Sequence, residues 1–377
     1  MKSEKDGIMF IAVCEVAVCE VMALKNPFRF GMVVKGEDFC DRHKEMKEIS
    51  QAIKSGMSVS VISPRRYGKT SMIVNLLDTL EDYTKVYMDL MTVTSLNDFL
   101  ERYSSSIFNS LGGIRKFLND MDKLMKVHAN VELNLGNFKF NFEASPNSTR
   151  DIEEVIGLPE KFKEKFVIVM DEFQEILNVT NIDLIAILRK KFQFFNNVSF
   201  IFSGSKRTMM KEIFSKPQKP FYRFSQIYEL KPLERNEVVE FILKKFAKTG
   251  LKMERKMAER IYEISCGHAY YVQALCYHLW FMAREAGNIE ESQLDEALKK
   301  VLLSEKSAFE SVWDELNPNQ KKVLKVLSYG KSPYSLKMSA GSVKRALETL
   351  EKSDIVEKRE RYEIIDPILR IWLREEI

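Results

Sequence analysis

SVSVISPRRYGKTSMIVNLLDTL, residues 58–80, is the stretch on which the reading of the chain turns. Ser58-Val-Ser-Val-Ile62 reads as a short buried strand, and MIVNLLDTL repeats its apolar residues at helical spacing. Between them, Ser63-Pro-Arg-Arg-Tyr-Gly68-Lys69-Thr70 matches GxxxxGK[ST] at every position but the first, where Ser replaces Gly. A strand that feeds a loop and then a helix aims successive backbone N–H groups and a helix N-terminus at one point, where anionic phosphate binds. Ser63, Pro64, Arg65, Arg66, Tyr67, Gly68, Lys69, Thr70 and Ser71 are the expected nucleotide contacts. Lys69 would bridge the β- and γ-phosphates and the Thr70 hydroxyl would hold Mg²⁺.

Phe166-Val-Ile-Val-Met170 reads as a second buried strand that delivers Asp171 and Glu172 to the carboxyl edge of a sheet, where ligands bind in open α/β folds. Asp171 would reach Mg²⁺ through its water shell, and Glu172 would orient the attacking water. Alone, such a pair could be the cap of the next helix; beside GKT it completes a nucleotide site. Strands at 85–89, 198–203 and 226–230 bring the core to five, alternating with helices near 41–55 and 181–194, the pattern of a parallel α/β sheet. Ser203 and Ser205, after the fourth strand, would hydrogen-bond the γ-phosphate or the lytic water, or else form a turn. Arg223 has the fork to reach a neighbouring subunit's γ-phosphate in a homo-oligomer, or to make a surface ion pair. No NKxD guanine-reading motif occurs, so ATP is the expected nucleotide.

At 377 residues, 45% hydrophobic and 30% charged, the chain has the composition of an ordinary globular protein of two to three domains. Its 5 Cys and 4 His show neither CxxC nor a paired metal spacing, which excludes a zinc site and suits a reducing cytoplasm. Residues 8–24 are the one stretch that looks like a membrane segment. They carry Glu15 and Glu20 and fall short of a span, so no membrane insertion is expected and residues 1–25 read as a tail; AVCEV occurs in it twice and Met22 could be the real start. Residues 127–142 alternate apolar and polar residues and predict an inserted β-hairpin, with Phe138, Phe140 and Phe142 on one face.

After Pro232 the strands stop, and residues 234–302 are helical by periodicity. From Pro318 the layout is a helix (318–328), a turn after Pro333, a helix (340–352) and two short β segments, which predicts a winged helix-turn-helix. The formal charge of the chain is only +4, yet residues 318–377 hold 13 Lys/Arg against 9 Asp/Glu, which is the whole surplus. Lys321, Lys322, Lys325, Lys331, Lys337, Lys344 and Arg345 follow one another without an acid. Lys344 and Arg345 lie on the helix that would enter a DNA major groove, and Lys337 and the others could meet phosphates; a solvated surface on a protein-binding module is the alternative.

Taken together, Asn26-Pro-Phe28, Phe39-x-Asp41-Arg42-x-x-Glu45, Pro64 to Ser71, Met170-Asp-Glu-Phe-Gln174, Ser203-Gly-Ser205, Pro220-Phe-Tyr-Arg223, Leu230-Lys-Pro-Leu233, Gly267-His-Ala-Tyr-Tyr271 and Asp366-Pro-Ile resemble the archaeal-type ATPases. These are AAA+-related P-loop proteins, often linked to the signalling ATPases, with a C-terminal winged helix. The resemblance spans residues 26–377 and implies an ATPase core (26–232) with strand order 5-1-4-3-2, a helical lid (233–310) and a winged helix (311–377). It also implies ATP and Mg²⁺ as ligands, Arg223 as an arginine finger, Ser203 or Ser205 as the sensor, and Phe28 and His268 near the nucleotide. Ala269 stands where the family usually has Pro after Gly-His, and a helix-cap or core role for His268 is the competing reading. Two functions follow: an ATP-hydrolysing motor or switch acting on DNA or a DNA-bound complex, or a slowly hydrolysing signalling regulator.

Overall fold

The computed structural model describes residues 25–111, 130–134, 137–141 and 149–377. The expectations for the tail and the alternative start, and for the faces of Phe138, Phe140 and Phe142, lie outside the described residues and side chains.

The described residues divide into two units by their internal contacts: Arg42–Pro232 with Glu310–Ile377, and residues 25–41 with Leu233–Phe309. The first is built on five parallel strands: β1 (Val59–Ile62), β2 (Thr84–Asp89), then, after the antiparallel hairpin β3 (Asn130–Asn134) and β4 (Asn137–Asn141), β5 (Phe166–Asp171), β6 (Val198–Gly204) and β7 (Gln226–Glu229). Their order is β2-β5-β6-β1-β7, which is the expected 5-1-4-3-2 read from the other edge. Every residue of β1, β5 and β6 is buried, as parallel strands covered on both faces must be. The connecting helices are α1 (His43–Lys54), α2 (Lys69–Asp78), α3 (Leu96–Ser110), α4 (Thr149–Ile156), α5 (Leu184–Phe192) and α6 (Arg207–Ser215).

Register decides what the sheet can present. Asp89 lies opposite Asp171 and Ile62 opposite Gly204, so β1, β5 and β6 end on the same edge. The loop after β1, the acids after β5 and the serines at the end of β6 therefore open together. Behind that edge Phe173, Phe202, Phe214 and Phe221 form one fully buried aromatic cluster with ring centroids 4.6–5.7 Å apart. Each such ring contributes roughly 2–3 kcal/mol by leaving water, which fixes the backbone from which the site residues project.

The second unit contains α7 (Arg235–Lys248), α8 (Arg255–Ser265), α9 (Ala269–Ala286) and α10 (Glu291–Asp314) through Phe309. Residues 25–41 group with these helices because their side chains are committed there. Phe28 is buried against Phe241 and Phe246, Lys245 donates to the Pro27 carbonyl at 3.1 Å and pairs with Asp38, and Asn26 Nδ2 donates to the Tyr277 carbonyl at 3.0 Å.

In the first unit the chain ends in α11 (Pro318–Ser328), a 3₁₀ turn (Pro333–Ser335), α12 (Ala340–Lys352), a hairpin of β8 (Val356–Lys358) and β9 (Tyr362–Ile364), and α13 (Pro367–Glu375). Asn317 starts α11 with a reciprocal capping box to Gln320. The final helix was not anticipated from the sequence. It begins on Pro367 with the Asp366 carboxylate accepting from the N–H groups of Ile368 and Leu369, and it buries Trp372 and Leu373. Among the described residues no helix is long and apolar enough to cross a membrane.

Candidate nucleotide site

The loop Ser63–Gly68 turns twice through left-handed backbone, at Arg66 (φ 70°) and Gly68 (φ 81°), before α2 begins at Lys69. Alternation of this kind turns consecutive N–H groups inward to make an anion nest at a helix N-terminus. Ser63 at the first motif position is fully buried and its hydroxyl donates to the Pro64 carbonyl at 3.1 Å. Arg65 and Arg66 are exposed, whereas Tyr67 is buried. Arg42, itself in the left-handed region (φ 80°) and buried, braces the loop from behind. Its guanidinium donates to the carbonyls of Tyr67 (3.4 Å) and Lys231 (2.6 Å) and pairs with Glu45 (2.8 Å).

Lys69 is only 6% exposed and sits between the two acids expected from the sequence, with Nζ 3.5 Å from Asp171 Oδ1 and 3.0 Å from Glu172 Oε1. The Thr70 hydroxyl donates to Asp171 Oδ2 at 3.3 Å. Burial opposes ionisation of both acids, but the Lys69 ammonium and the hydrogen bonds they accept outweigh it and hold both below the usual carboxylate range. The buried cation is neutralised by two carboxylates of its own chain. The hard oxygens of Thr70 and Asp171 are the donor type that suits Mg²⁺.

Two residues were given no role by the sequence reading. Tyr87, on β2 two residues before Asp89, donates its hydroxyl to Asp171 Oδ2; burial and that carboxylate push its own pKa up. Gln174, fully buried, donates from Nε2 to Glu172 Oε2 at 2.6 Å, and its Oε1 lies so close to Gly204 that a Cβ there would meet it at 2.4 Å. Strand alternation puts Tyr87 on the face of Asp171, the one signal that could have singled it out. Glu172 has left-handed backbone (φ 51°), the kind of local strain that persists where surrounding contacts over-determine it.

Ser205 is part of this cluster: its N–H and hydroxyl both donate to Glu172 Oε2, at 3.2 and 2.7 Å. Ser203 is fully buried at the end of β6. The other sequence-predicted residues have surroundings of their own. Arg223 is exposed three residues before β7, near the amino edge where Gln226 meets Val59, whereas Lys69 follows β1 at the carboxyl edge. Phe28 and His268 belong to the other unit, where Phe28 is packed as described. His268 is buried, caps the start of α9 by accepting from the Val272 N–H on its carbonyl, and lies 5.5 Å from the Tyr271 ring. In the terminal segment Lys337, Lys344 and Arg345 are exposed, and Lys344 also pairs with Glu348 at 3.8 Å. Lys325 is turned inward, donating to the Leu373 carbonyl at 2.9 Å, and Lys321 lies over the Trp313 ring at 5.3 Å.

Comparison with known proteins gives this geometry a context. Residues 39–275 match a family described as an ATPase domain predominantly from Archaea. A Walker-type ATPase of Pyrococcus abyssi superposes with a TM-score of 0.67 at 16% identity, over 92% of this chain and 99% of that one. The ORC2 protein of Aeropyrum pernix, in ADPNP–ADP complexes, gives 0.56 at 14% identity, over 93% and 98%. The ORC1 protein of the same organism, in complex with DNA, gives 0.50 at 11%, over 90% and 94%. At these identities the likeness is one of fold, shared along almost the whole chain. No curated protein matches the sequence.

Proposed function

The chain belongs to the family of ATPase domains found predominantly in Archaea, and on that premise we propose that it binds ATP with Mg²⁺ at the Lys69 cluster and uses hydrolysis to move its C-terminal winged-helix module on DNA. The observation that carries the reading is Lys69 held between Asp171 and Glu172 at the edge where β1, β5 and β6 end. Incoming phosphates replace both acids as partners of Lys69, and the nest formed around Arg66 and Gly68 donates its amides to them. Thr70 and Asp171 are the residues to hold Mg²⁺, which when bound neutralises charge on the phosphate oxygens. Glu172, released from Lys69, accepts a hydrogen bond from the attacking water and orients it, while Ser205 steadies its other oxygen.

Arg223 fits an arginine finger supplied to a second copy, since in its own chain it stands toward the opposite edge of the sheet from Lys69. Support for a DNA-directed role comes from the order of elements after Pro318, from exposed Lys337, Lys344 and Arg345, and from the fold likeness to a protein solved with DNA. Phosphate release by the full chain with ATP and Mg²⁺, and ATP binding by equilibrium dialysis, test the nucleotide site. Lys69→Ala should lose both; a variant that binds and turns over like the parent would sink the assignment. One observation favours the alternative of a slow regulatory switch: Glu172 is engaged by Lys69, Gln174 and Ser205 at once, an arrangement that must loosen before each turnover.

A further inference from the structure

Ser205, Lys206 and Arg207 are three consecutive residues, and each holds a different acidic partner. Ser205 donates to Glu172 through both its N–H and its hydroxyl. Lys206 pairs with Glu175 at 2.8 Å, three residues beyond Glu172. Arg207 reaches the other way: its Nε is 3.3 Å from Asp354 Oδ1 and its Nη1 is 2.6 Å from Glu357 Oε2, at the junction of α12 and β8 in the terminal module. The next residue adds a fourth tie, Thr208 Oγ1 donating to the Glu351 carbonyl at 3.3 Å. A segment of four residues thus joins the acid that would work on water to the module that would work on DNA.

The Arg207 contact is not explained by the local needs of its helix. Arg207 is the first residue of α6, where the helix dipole disfavours a cation, and no acid in the first turn of α6 offsets it. The three charged side chains are each about one-sixth exposed, so this is a shielded contact and not a surface pair of the kind that contributes little. A cavity of about 560 Å³ beside it is lined by Pro64 and Tyr67 of the phosphate loop, by Arg207 and Lys211 of α6, and by Lys358 and Arg359 of the β8 end. The docked module accordingly borders the loop as well as the segment that grips Glu172.

We propose that Arg207 is a positioning residue that couples docking of the terminal module to Glu172. With Asp354 and Glu357 bound, the 205–207 segment is held and, through Ser205 on Oε2, keeps Oε1 of the Glu172 carboxylate turned to Lys69, a resting arrangement. Undocking frees the segment, and Glu172 with it, to turn to water. This coupling rests on the ATPase reading above, because Glu172 has to be the group that orients water.

The test uses the full chain and two readouts, steady-state ATP turnover and hydrogen exchange of peptides covering 205–215 and 351–364. Arg207→Ala should raise kcat roughly fivefold with KM for ATP within about twofold, the change expected when a restraint of one hydrogen-bonded group is lifted, and exchange in both peptides should quicken. Glu357→Gln, which leaves the ATPase core untouched, should do the same and covers the case in which Arg207→Ala folds poorly. Combining Arg207→Glu with Asp354→Asn and Glu357→Arg should restore both readouts, which a merely structural role would not do for kcat. Unchanged exchange, or faster exchange with unchanged kcat, overturns the coupling. Turnover that survives Glu172→Gln overturns the ATPase reading and the coupling with it, so the two failures are told apart by different variants.

Discussion

Lys69 is the charge around which the site balances. Without it, Asp171 and Glu172 would be two carboxylates on adjacent residues, each largely removed from water, and the chain would have to protonate one of them. With it, both are held below the ordinary carboxylate range. Groups with depressed folded pKa values contribute stability that is fully present above the unfolded carboxylate range and is lost progressively as pH falls from there through the lowered folded values. Urea midpoints of the parent should therefore drop progressively as pH falls below about 5. In Lys69→Met the two acids lose their cation, their pKa values rise, and the acid limb should flatten; a limb as steep as the parent's would show that Lys69 is not what holds them. Gly204 belongs to the same balance, because any side chain there would strike Gln174, the residue that steadies Glu172 from the far side.

At the scale of elements, each end of a strand or helix has a local cause, and these causes explain what the sequence disclosed. The apolar runs of β1, β5 and β6 are legible because strands buried on both faces need continuous hydrophobicity, and the GKT loop is legible because its chemistry is confined to one segment. Ser205 was legible as a residue near the site but its partner was not, since its bond to Glu172 depends on β5 and β6 lying side by side. Tyr87 and Gln174 were hidden for a similar reason: neither residue type signals chemistry until the register brings it to Asp171 or Glu172. Phe28 is assigned to the nucleotide by resemblance alone, and in its own unit it is buried against Phe241 and Phe246. The last helix, α13, was missed although Asp366-Pro367 is a cap followed by the residue that best opens a helix. That cap should be worth about 1 kcal/mol, so Asp366→Ala should lower the urea midpoint correspondingly while leaving ATP binding intact. No loss would show that α13 is held by Trp372 and its neighbours alone.

For the whole molecule, the small net charge conceals a neutral body and a basic terminal module. Inward use of Lys325 and stacking of Lys321 leave Lys322, Lys331, Lys337, Lys344 and Arg345 as the exposed cations of that stretch, through which the module would meet a duplex. If it does, affinity for duplex DNA should fall steeply with salt, and replacing Lys344 and Arg345 by Ala should weaken binding and reduce the salt slope by about one to two. Absence of binding at low salt would direct the module to a protein partner instead. All of these roles depend on one claim, that Glu172 beside Lys69 makes the chain hydrolyse ATP. It is tested most directly by measuring phosphate release and ATP affinity together in Glu172→Gln, a change of one carboxylate oxygen to an amide nitrogen. The account predicts turnover reduced by roughly a hundredfold or more with ATP still bound; turnover equal to that of the parent would contradict it.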